Sequence, residues 1–456
     1  MNYRESISYL EKAVSFGIKP GLERIRALLK YLGNPEKKYK IIHVTGTNGK
    51  GSTTAMITAA LEAAHIKAGR YVSPHLVEYT ERIYAMGKDI SREDFAYVAT
   101  AVRHAAESIV EEGYEAPTEF ELLTAMAFLY FAKVGVEYAV VEVGMGGLYD
   151  STNVIVPVVS VITNVAMDHM QYLGNTLTEI AHNKAGIIKG SVPCVTAASG
   201  EALTQIQKEA EEKHASLYIY GRDFAEIARH AVHGGQIVSF CIGGKGTGDI
   251  HISLVGPHQA INAAGAVMAL KIVSGSDPRV TDDAVRYGLA HTRWPGRFDM
   301  HHVGNIPFVM DGAHNSAGAV TLKASLEEQF PDKRRLVVFT SLKDKDTDKV
   351  IRLIMRPQDK VFITTAPTPR SRSEDDIAAM LPCPYKEEPD TDTALNDAVA
   401  EAKDGDMVLV CHLFFSVSSK MAYILFPDNQ GVVADENFFV WCIPAVVSWY
   451  SKIPSL

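Results

Sequence analysis

The stretch KIIHVTGTNGKGSTTAMITAALEAA, residues 40–64, decides the fold of the first half of the chain. It opens as an apolar strand, turns through three glycines and continues as a helix pattern. A phosphate cradle needs glycines that let backbone N–H groups point inward, a lysine that reaches the phosphates, and a hydroxyl for Mg²⁺ at a helix start. Lys50 supplies the cation, and Ser52 or Thr53 supplies the hydroxyl.

Gly51 makes the spacing of this loop unusual, because it separates Lys50 from Ser52. In the ordinary phosphate loop the hydroxyl residue follows the lysine directly. The alternative interpretation is a glycine-rich turn that precedes a helix and binds nothing. A lysine embedded in glycines directly after an apolar strand has little use in packing, so we interpret the stretch as a mononucleotide site.

Composition places the chain among globular proteins and limits its partners. With 456 residues, 47% of them hydrophobic and 22% charged, it is long enough for two or three domains. The formal net charge of −9 argues against a nucleic-acid binder that relies on a basic surface. Its five cysteines are scattered and odd in number, which argues against a disulfide framework or zinc site. The N-terminal residues lack the pattern of a targeting signal, and no apolar run is long enough to span a bilayer. We therefore expect a cytoplasmic protein without a membrane partner.

Strand-like runs rich in Val and Ile alternate with amphipathic helix patterns from about residue 40 onward. Apolar strands separated by helices are typical of parallel sheets covered on both faces, so the predicted fold class is α/β. Pro295 and Gly296, in HTRWPGRFD, lie between a helix pattern and a new strand run. This break predicts a larger first domain, residues 1–295, and a smaller second one.

Two candidate ligands follow predicted strands. Glu142 ends the strand run in VVEVGMGG, and His169 follows the next one in TNVAMDHMQYLG. Ligand sites of α/β proteins form at the carboxyl ends of parallel strands, so converging strand ends here could hold Mg²⁺. The alternatives are a solvated acid at a strand end and a structural histidine, because a lone histidine is more often structural than a ligand.

The loop sequence GTNGKGS resembles the signature of the Mur-ligase superfamily, the ATP-dependent ligases that form amide bonds. Within it the chain resembles the folylpolyglutamate synthase family, through YVSPHLVEYTERI, TEFELLTAMAFLYF, VVEVGMGGLYDSTNVI, GPHQAINAAGA, RWPGRFD and DGAHN. These motifs occur in the family's order from about residue 5 to about residue 410. The resemblance implies a larger N-terminal P-loop ATPase domain with a parallel sheet and a smaller, Rossmann-like C-terminal domain that binds glutamate.

The resemblance also implies the reaction. A carboxylate of a folate attacks the γ-phosphorus of ATP, and the amino group of L-glutamate then displaces phosphate from the acyl phosphate, which lengthens the polyglutamate chain at a γ-carboxyl group. Relatives that also join dihydropteroate to glutamate commonly carry Arg and an apolar residue where this chain has Leu148 and Tyr149. Polyglutamylation is therefore ranked first and dihydrofolate synthesis second.

Site residues follow from the resemblance, position by position. The implied ATP contacts are Thr47, Asn48, Gly49, Lys50, Gly51, Ser52, Asn262, Arg297, Asp311 and His314, with Asn262 along the adenine. The implied Mg²⁺ ligands, for two ions, are Ser52, Ser73, Glu142 and His169; a K⁺ site is also compatible with the family. Lys50, His169 and Lys184 are the implied catalytic residues.

Lys184 on its own would be interpreted as a surface lysine on a helix. In the family the equivalent lysine is often carbamylated, but Asn183 here replaces a common Glu. Three further residues are implied folate contacts, each with an ordinary alternative. Arg82 could form a surface ion pair, Phe120 could be a core residue, and Asp150 could cap a turn.

The C-terminal end departs from the family. The second domain is expected to span residues 296–425, and residues 426–456 form an atypical tail. The family's pattern is already lost after residue 411, which fits either an added element or a change of reading frame. Two competing functions remain open: a Mur-type ligase for another carboxylate, although only about forty residues precede the loop, and a non-catalytic nucleotide switch. We expect a monomer.

Overall fold

The computed structural model describes residues 1–14, 17, 19–366 and 368–411, so the predicted tail lies outside the described residues. The chain divides into one compact unit, Met1–Trp294, and a second unit that begins at Pro295. No helix among the described residues is long and apolar enough to cross a membrane.

The first unit contains ten α-helices in its described residues. They are α1 (Tyr3–Val14), α2 (Glu23–Tyr31), α3 (Lys50–Ala63), α4 (Arg92–Glu111), α5 (Glu119–Val134), α6 (Met170–Leu173), α7 (Leu177–Ala185), α8 (Gly200–Glu212), α9 (Pro257–Ser274) and α10 (Asp282–Ala290). Short 3₁₀ helices cover Pro35–Lys37, Tyr79–Arg82 and Ser151–Val154.

Eight strands of this unit form one sheet in the order β4-β3-β2-β5-β1-β6-β7-β8. They are β1 (Lys40–Thr45), β2 (Ala68–Tyr71), β3 (Ile83–Ala85), β4 (Lys88–Asp89), β5 (Tyr138–Glu142), β6 (Val159–Ile162), β7 (Cys194–Thr196) and β8 (Leu217–Ile219). The six strands from β2 to β8 in this order are parallel, and β3 and β4 extend the edge antiparallel. A separate antiparallel sheet holds β9 (Phe224–Val232), β10 (Gly235–Ile242) and β11 (Lys245–Ile252).

Side chains of β1 alternate between two cores, one on each face of the large sheet. Ile42 and Val44 belong to the cluster that includes residues of α3, α9 and α10, whereas Ile41 belongs to the cluster of α1, α2, α4 and α5. This alternation explains the continuous apolar run of the strand, because both faces of a parallel sheet are covered by helices.

The described residues of the second unit form a six-stranded sheet in the order β12-β13-β17-β14-β15-β16, in which β12 and β13 are antiparallel and the other described pairs are parallel. Its strands are β12 (Asp299–Val303), β13 (Ile306–Asp311), β14 (Arg334–Phe339), β15 (Lys360–Ile363), β16 (Tyr385–Glu387) and β17 (Asp406–Cys411). Its helices are α11 (Ser316–Gln329), α12 (Thr347–Ile354), α13 (Glu374–Ala378) and α14 (Thr391–Glu401). The predicted α/β class is confirmed.

Candidate active site

Strand order brings the predicted site segments to one edge of the large sheet. Strand β1 lies between β5 and β6, and β2 lies on the far side of β5. The glycine loop follows β1, and Glu142 is the last residue of β5. Ser73 follows β2, and His169 follows β6. Open α/β sheets bind ligands at the carboxyl ends of their strands, at the position where the strand order reverses.

The glycine loop leads directly into α3. Gly49 has φ +81° and is the residue before the helix, and Lys50 is the first helical residue. The Lys50 ammonium folds back over the loop, where Nζ donates to the carbonyl oxygens of Gly46 and Thr47 at 3.1 Å each. The N-terminal N–H groups of α3 and the Lys50 charge therefore lie together, as a phosphate site requires.

Residues that follow β6 brace the loop. The Asn48 carbonyl oxygen accepts hydrogen bonds from Thr163 Oγ1 at 2.6 Å and from Asn164 Nδ2 at 2.9 Å. The Asn48 N–H donates to Asn164 Oδ1 at 2.9 Å, and the Thr47 N–H donates to the Asn164 carbonyl oxygen at 3.0 Å. The loop is thus held in shape before any ligand is present. Our sequence analysis missed Thr163 and Asn164, and the only signal was a polar pair directly after a strand.

Helix α9 closes the other side of the loop. Gln259 Nε2 donates to Ser52 Oγ at 3.1 Å, and Asn262 Nδ2 donates to Gln259 Oε1 at 3.0 Å. Asn262 packs against Gly49, where an added Cβ would lie 2.3 Å from Asn262 Oδ1. Asn262 also lines a small cleft with Thr53, the ends of β6 and β7, and other residues of α9. Its predicted position beside the adenine stays a prediction.

Lys184 is buried and not on the surface. Its Nζ donates to the Gly46 carbonyl oxygen at 2.8 Å. Lys50 Nζ donates to the same oxygen, so the two lysines share one acceptor. Burial, and secondarily the Lys50 charge, lower the pKa of Lys184 from its ordinary 10.5 to about 7. Asp168 opposes this shift from nearby. About half of the amine is therefore uncharged at pH 7.

The predicted metal ligands differ in exposure. Glu142 is only 4% exposed at the end of β5, and Ser73 is half-buried. His169 has φ +50°, its N–H donates to Asp168 Oδ1 at 2.9 Å, and its side chain is 46% exposed. Within residues 1–14, 17, 19–366 and 368–411, no cluster of three or more His, Cys, Asp or Glu side chains could hold a metal by itself. Mg²⁺ is usually held by one or two carboxylates plus phosphate oxygens and water, so hydroxyl and carboxylate donors at this edge fit that ion.

Arg82 is 8% exposed, so the alternative of a surface ion pair does not describe it. Its Nε donates to His75 Nδ1 at 2.8 Å, and a guanidinium nitrogen lies 4.0 Å from Glu119 Oε1. Burial, and secondarily Arg82, lower the pKa of His75 to about 3, which keeps the imidazole neutral and able to accept. Arg82 as a folate contact stays a prediction.

Phe120 and Asp150 both support the GMGG loop after β5. An added Cβ at Gly144 would lie 2.5 Å from Phe120 Cζ, so the phenyl ring packs directly on the loop backbone. The Asp150 carboxylate accepts from the Met145 N–H at 2.9 Å, and from the N–H of Thr152 at 3.0 Å and its Oγ1 at 2.6 Å. Asp150 therefore caps the following turn, as the alternative interpretation expected. Contact of Phe120 or Asp150 with a folate stays a prediction.

The second unit brings three predicted ATP contacts together at the carboxyl end of β13. Asp311 Oδ2 accepts from the Phe298 N–H and Oδ1 from the Ala313 N–H, both at 2.8 Å. Burial raises the pKa of Asp311, and the nearby Arg297 charge opposes that rise. His314 Nδ1 lies 2.9 Å from the Gly312 carbonyl oxygen, to which it can only donate.

Comparison with known proteins gives two family matches that cover both units. The Mur ligase middle domain matches residues 44–270, and the glutamate ligase domain of Mur ligases matches residues 296–411. A dihydrofolate synthase/folylpolyglutamate synthase of Bacillus subtilis (strain 168) is 37% identical over 378 residues, 82% of this chain and 88% of that protein. The chain belongs to the folylpolyglutamate synthase family of Mur ligases.

Solved structures of the family agree in fold. Folylpolyglutamate synthase of Mycobacterium tuberculosis, complexed with ADP and AMPPCP, superposes with a TM-score of 0.84 at 32% identity, over 93% of this chain and 99% of that one. A folylpolyglutamate synthase in complex with AMPPCP and folate gives a TM-score of 0.79 at 30% identity, over 93% of this chain and 100% of that one. The predicted family, fold class and enzyme class, an ATP-dependent ligase, are confirmed.

Proposed function

We propose that this chain adds L-glutamate to the γ-carboxyl group of folate polyglutamates, with ATP as the energy source and an acyl phosphate as the intermediate. The observation that carries the proposal is the braced loop, in which Lys50 and Lys184 converge on the Gly46 carbonyl oxygen. A glycine loop with Lys50 at a helix N-terminus suits a triphosphate, and family relatives carry names for this glutamate-adding reaction.

The loop residues hold the triphosphate in this proposal. Gly49, Gly51 and Ser52 supply backbone N–H groups or a hydroxyl, and Lys50 turns from its carbonyl partners to the phosphates. Thr47 and Asn48 donate their own N–H groups to Asn164, so they are proposed to contact the triphosphate through their side chains. Once Lys50 has turned, the charge that develops on the transferred phosphoryl group lies beside these donors, which stabilises the transition state.

The metal ligands are proposed as Ser52, Ser73, Glu142 and His169, enough for two Mg²⁺ ions shared with phosphate oxygens and water. When bound, Mg²⁺ neutralises phosphate charge and aligns the γ-phosphoryl group. We propose no role for K⁺ beyond compatibility with the family. Arg297, Asp311 and His314 are proposed ATP contacts, and Asn262 is proposed beside the adenine.

Lys184 is proposed as the site of carbamylation. An uncharged amine can attack CO₂: a new N–C bond forms, the nitrogen loses a proton, and a carbamate anion replaces the amine. The lowered pKa of Lys184 supports this step because the reactive neutral form is abundant near pH 7. The anion would add a carboxylate-like oxygen ligand for Mg²⁺ next to the loop.

The folate is proposed to lie near Arg82, Phe120 and Asp150, with the last two acting through the GMGG loop that they support. Dihydropteroate is the second-ranked acceptor because of Leu148 and Tyr149. A cytoplasmic monomer completes the proposal. The alternatives are a Mur-type ligase for another carboxylate and a nucleotide switch without catalysis.

Phosphate release tests these functions against each other. The full chain is incubated with ATP, Mg²⁺ and L-glutamate, and with tetrahydrofolate polyglutamate, dihydropteroate or neither. A folylpolyglutamate synthase releases phosphate and lengthens the folate only when both substrates are present, and Lys50→Ala lowers this rate about 10²- to 10³-fold. Phosphate release that ignores the folate would refute the proposal, and release with dihydropteroate would add the second activity.

A further inference from the structure

The residue that makes the loop spacing unusual leaves room for a tryptophan. At Gly51 an added Cβ would lie 2.5 Å from Cζ2, 2.8 Å from Cε2 and 3.0 Å from Nε1 of Trp294. No ordinary Cβ approaches another atom that closely, so a serine or alanine at position 51 and the indole cannot both occupy their present places. The indole therefore lies against the first turn of α3 at Gly51.

A half-buried arginine of β2 also lies beside the indole. The Arg70 guanidinium carbon lies 5.0 Å from the centre of the Trp294 ring and 4.3 Å from the centre of the Tyr84 ring. Burial lowers the pKa of Arg70, and Asp89, Tyr84, Glu62 and Glu142 oppose that change. A guanidinium is attracted to the aromatic faces near it, so these two contacts help to hold the indole in place.

The segment that ends at Trp294 runs along the whole of α3. At Gly288 of α10 an added Cβ would lie 2.4 Å from the Ala60 Cα, so the two helices touch through their backbones. Thr292 then caps α10, with Oγ1 donating to the Gly288 carbonyl oxygen at 2.7 Å. The chain thus follows α3 from its last turns back to its first turn, and Trp294 is the last residue of the first unit.

We propose that Trp294 is a positioning residue for the nucleotide. Its indole fills the space beside Gly51 and, held by Arg70, fixes the first turn of α3, whose N–H groups face the phosphates. Gly51 and Trp294 form a matched pair. The absence of a side chain at position 51 leaves the space that the indole fills, and the indole in turn holds the loop in its shape. This inference rests on the proposed function only in that the loop takes ATP.

The matched pair predicts a specific pattern of nucleotide affinities. Trp294→Ala weakens binding of AMPPCP about tenfold, measured by calorimetry on the full chain with Mg²⁺, whereas Trp294→Phe keeps most of the affinity because it retains an aromatic ring over Gly51. Arg70→Met, which keeps bulk but removes the cation, weakens it by a smaller factor of about three. The KM for ATP rises in parallel, and the KM for the folate stays within about twofold.

A double-mutant cycle separates positioning from general damage. Gly51→Ala weakens AMPPCP binding about tenfold in the wild-type background and has little further effect in the Trp294→Ala background, where the indole is gone. Gly246→Ala is the matched control, because an added Cβ there meets nothing within 4 Å. An equal cost of Gly51→Ala in both backgrounds would overturn the proposal.

Fluorescence gives a readout that a purely structural role would not change. The chain has three tryptophans, and the other two, Trp441 and Trp449, are replaced by Phe so that the emission reports Trp294 alone. AMPPCP with Mg²⁺ shifts or quenches this emission, at the concentration that half-saturates calorimetric binding. If the wild type binds no AMPPCP, the proposed function fails; if it binds and both the emission and the Trp294→Ala affinity are unchanged, this inference alone fails.

Discussion

Replacing Lys184 by Met tests the electrostatics of the loop most directly. Met keeps most of the volume of the buried side chain and removes the amine. The folded-state pKa of about 7, against 10.5 for an ordinary lysine, means that between these values the unfolded chain binds a proton that the folded chain does not. Stability of the wild type therefore rises with pH through this window, and the burial cost is greatest below pH 7.

The size of the effect follows from the two pKa values. A shift of this kind corresponds to roughly 5 kcal/mol of unfavourable burial at low pH, of which about 2 kcal/mol disappears between pH 7 and pH 9. Relative to Lys184→Met, the wild type should gain about 2 kcal/mol in the free energy of unfolding over that interval. The Gly46 carbonyl oxygen keeps Lys50 as a donor in the variant, so the hydrogen-bond loss is small.

Denaturant unfolding at pH 6, 7, 8 and 9, in buffers freed of CO₂, measures the difference between the two chains. Lys208→Met is the control for the loss of one positive charge, because the Lys208 side chain is 67% exposed. A difference between wild type and Lys184→Met that does not change with pH would refute the reasoning, since the buried amine would then keep its proton throughout. Repeating the series with bicarbonate tests whether a carbamate stabilises the wild type.

Three further predictions address the surroundings of the site. Thr163→Val removes the 2.6 Å hydrogen bond to the Asn48 carbonyl oxygen and should raise the KM for ATP about three- to tenfold. The control, Thr204→Val at an exposed position, should leave this KM unchanged, and equal KM values for the two variants would show that the hydrogen bond is unimportant. Burial lowers the pKa of His43 to about 3, so below pH 6.5 the unfolded chain binds a proton that the folded chain does not. The wild type should therefore lose about 1.5 kcal/mol in the free energy of unfolding, relative to His43→Gln, between pH 6.5 and pH 5. Parallel curves of stability against pH for the two chains would contradict this. Gly144→Ala places a Cβ 2.5 Å from Phe120 Cζ and should lower kcat/KM for the folate about tenfold, with less effect on the KM for ATP. Gly246→Ala is the control. A variant in which only the KM for ATP changes would show that the GMGG loop does not act on the folate.

Much of the frame was predictable because it depends on local sequence. The apolar run of β1, the glycines and the helix pattern of α3 are contiguous, so the phosphate loop could be located without knowing what surrounds it. The alternation of strands and helices likewise predicted the parallel sheet. Glu142 and His169 could be proposed as site residues because Glu142 ends a strand and His169 follows one, and strand ends converge at one edge of a parallel sheet.

The parts that sequence reasoning missed depend on contacts between distant residues. The chemistry of Lys184 alone suggested a surface lysine, and only the family resemblance marked it as a site residue; its hydrogen bond to Gly46, 138 positions earlier in the chain, could not be predicted from local sequence. Thr163 and Asn164 look like any polar pair after a strand, and only the neighbouring position of β1 and β6 turns them into a brace for the loop. Trp294 lies in the RWPGRFD motif, but nothing local links it to Gly51.

The order in which the chain is made has a consequence for when the nucleotide site can exist. The loop at residues 46–52 is synthesised early, but its hydrogen-bonding partners Thr163, Lys184 and Gln259 come 115, 138 and 207 residues after the groups they contact. A ribosome-bound chain that has emerged only as far as α5 therefore contains every glycine of the motif and still lacks the groups that shape it. Nucleotide can bind to a nascent chain only after most of the first unit has left the exit tunnel.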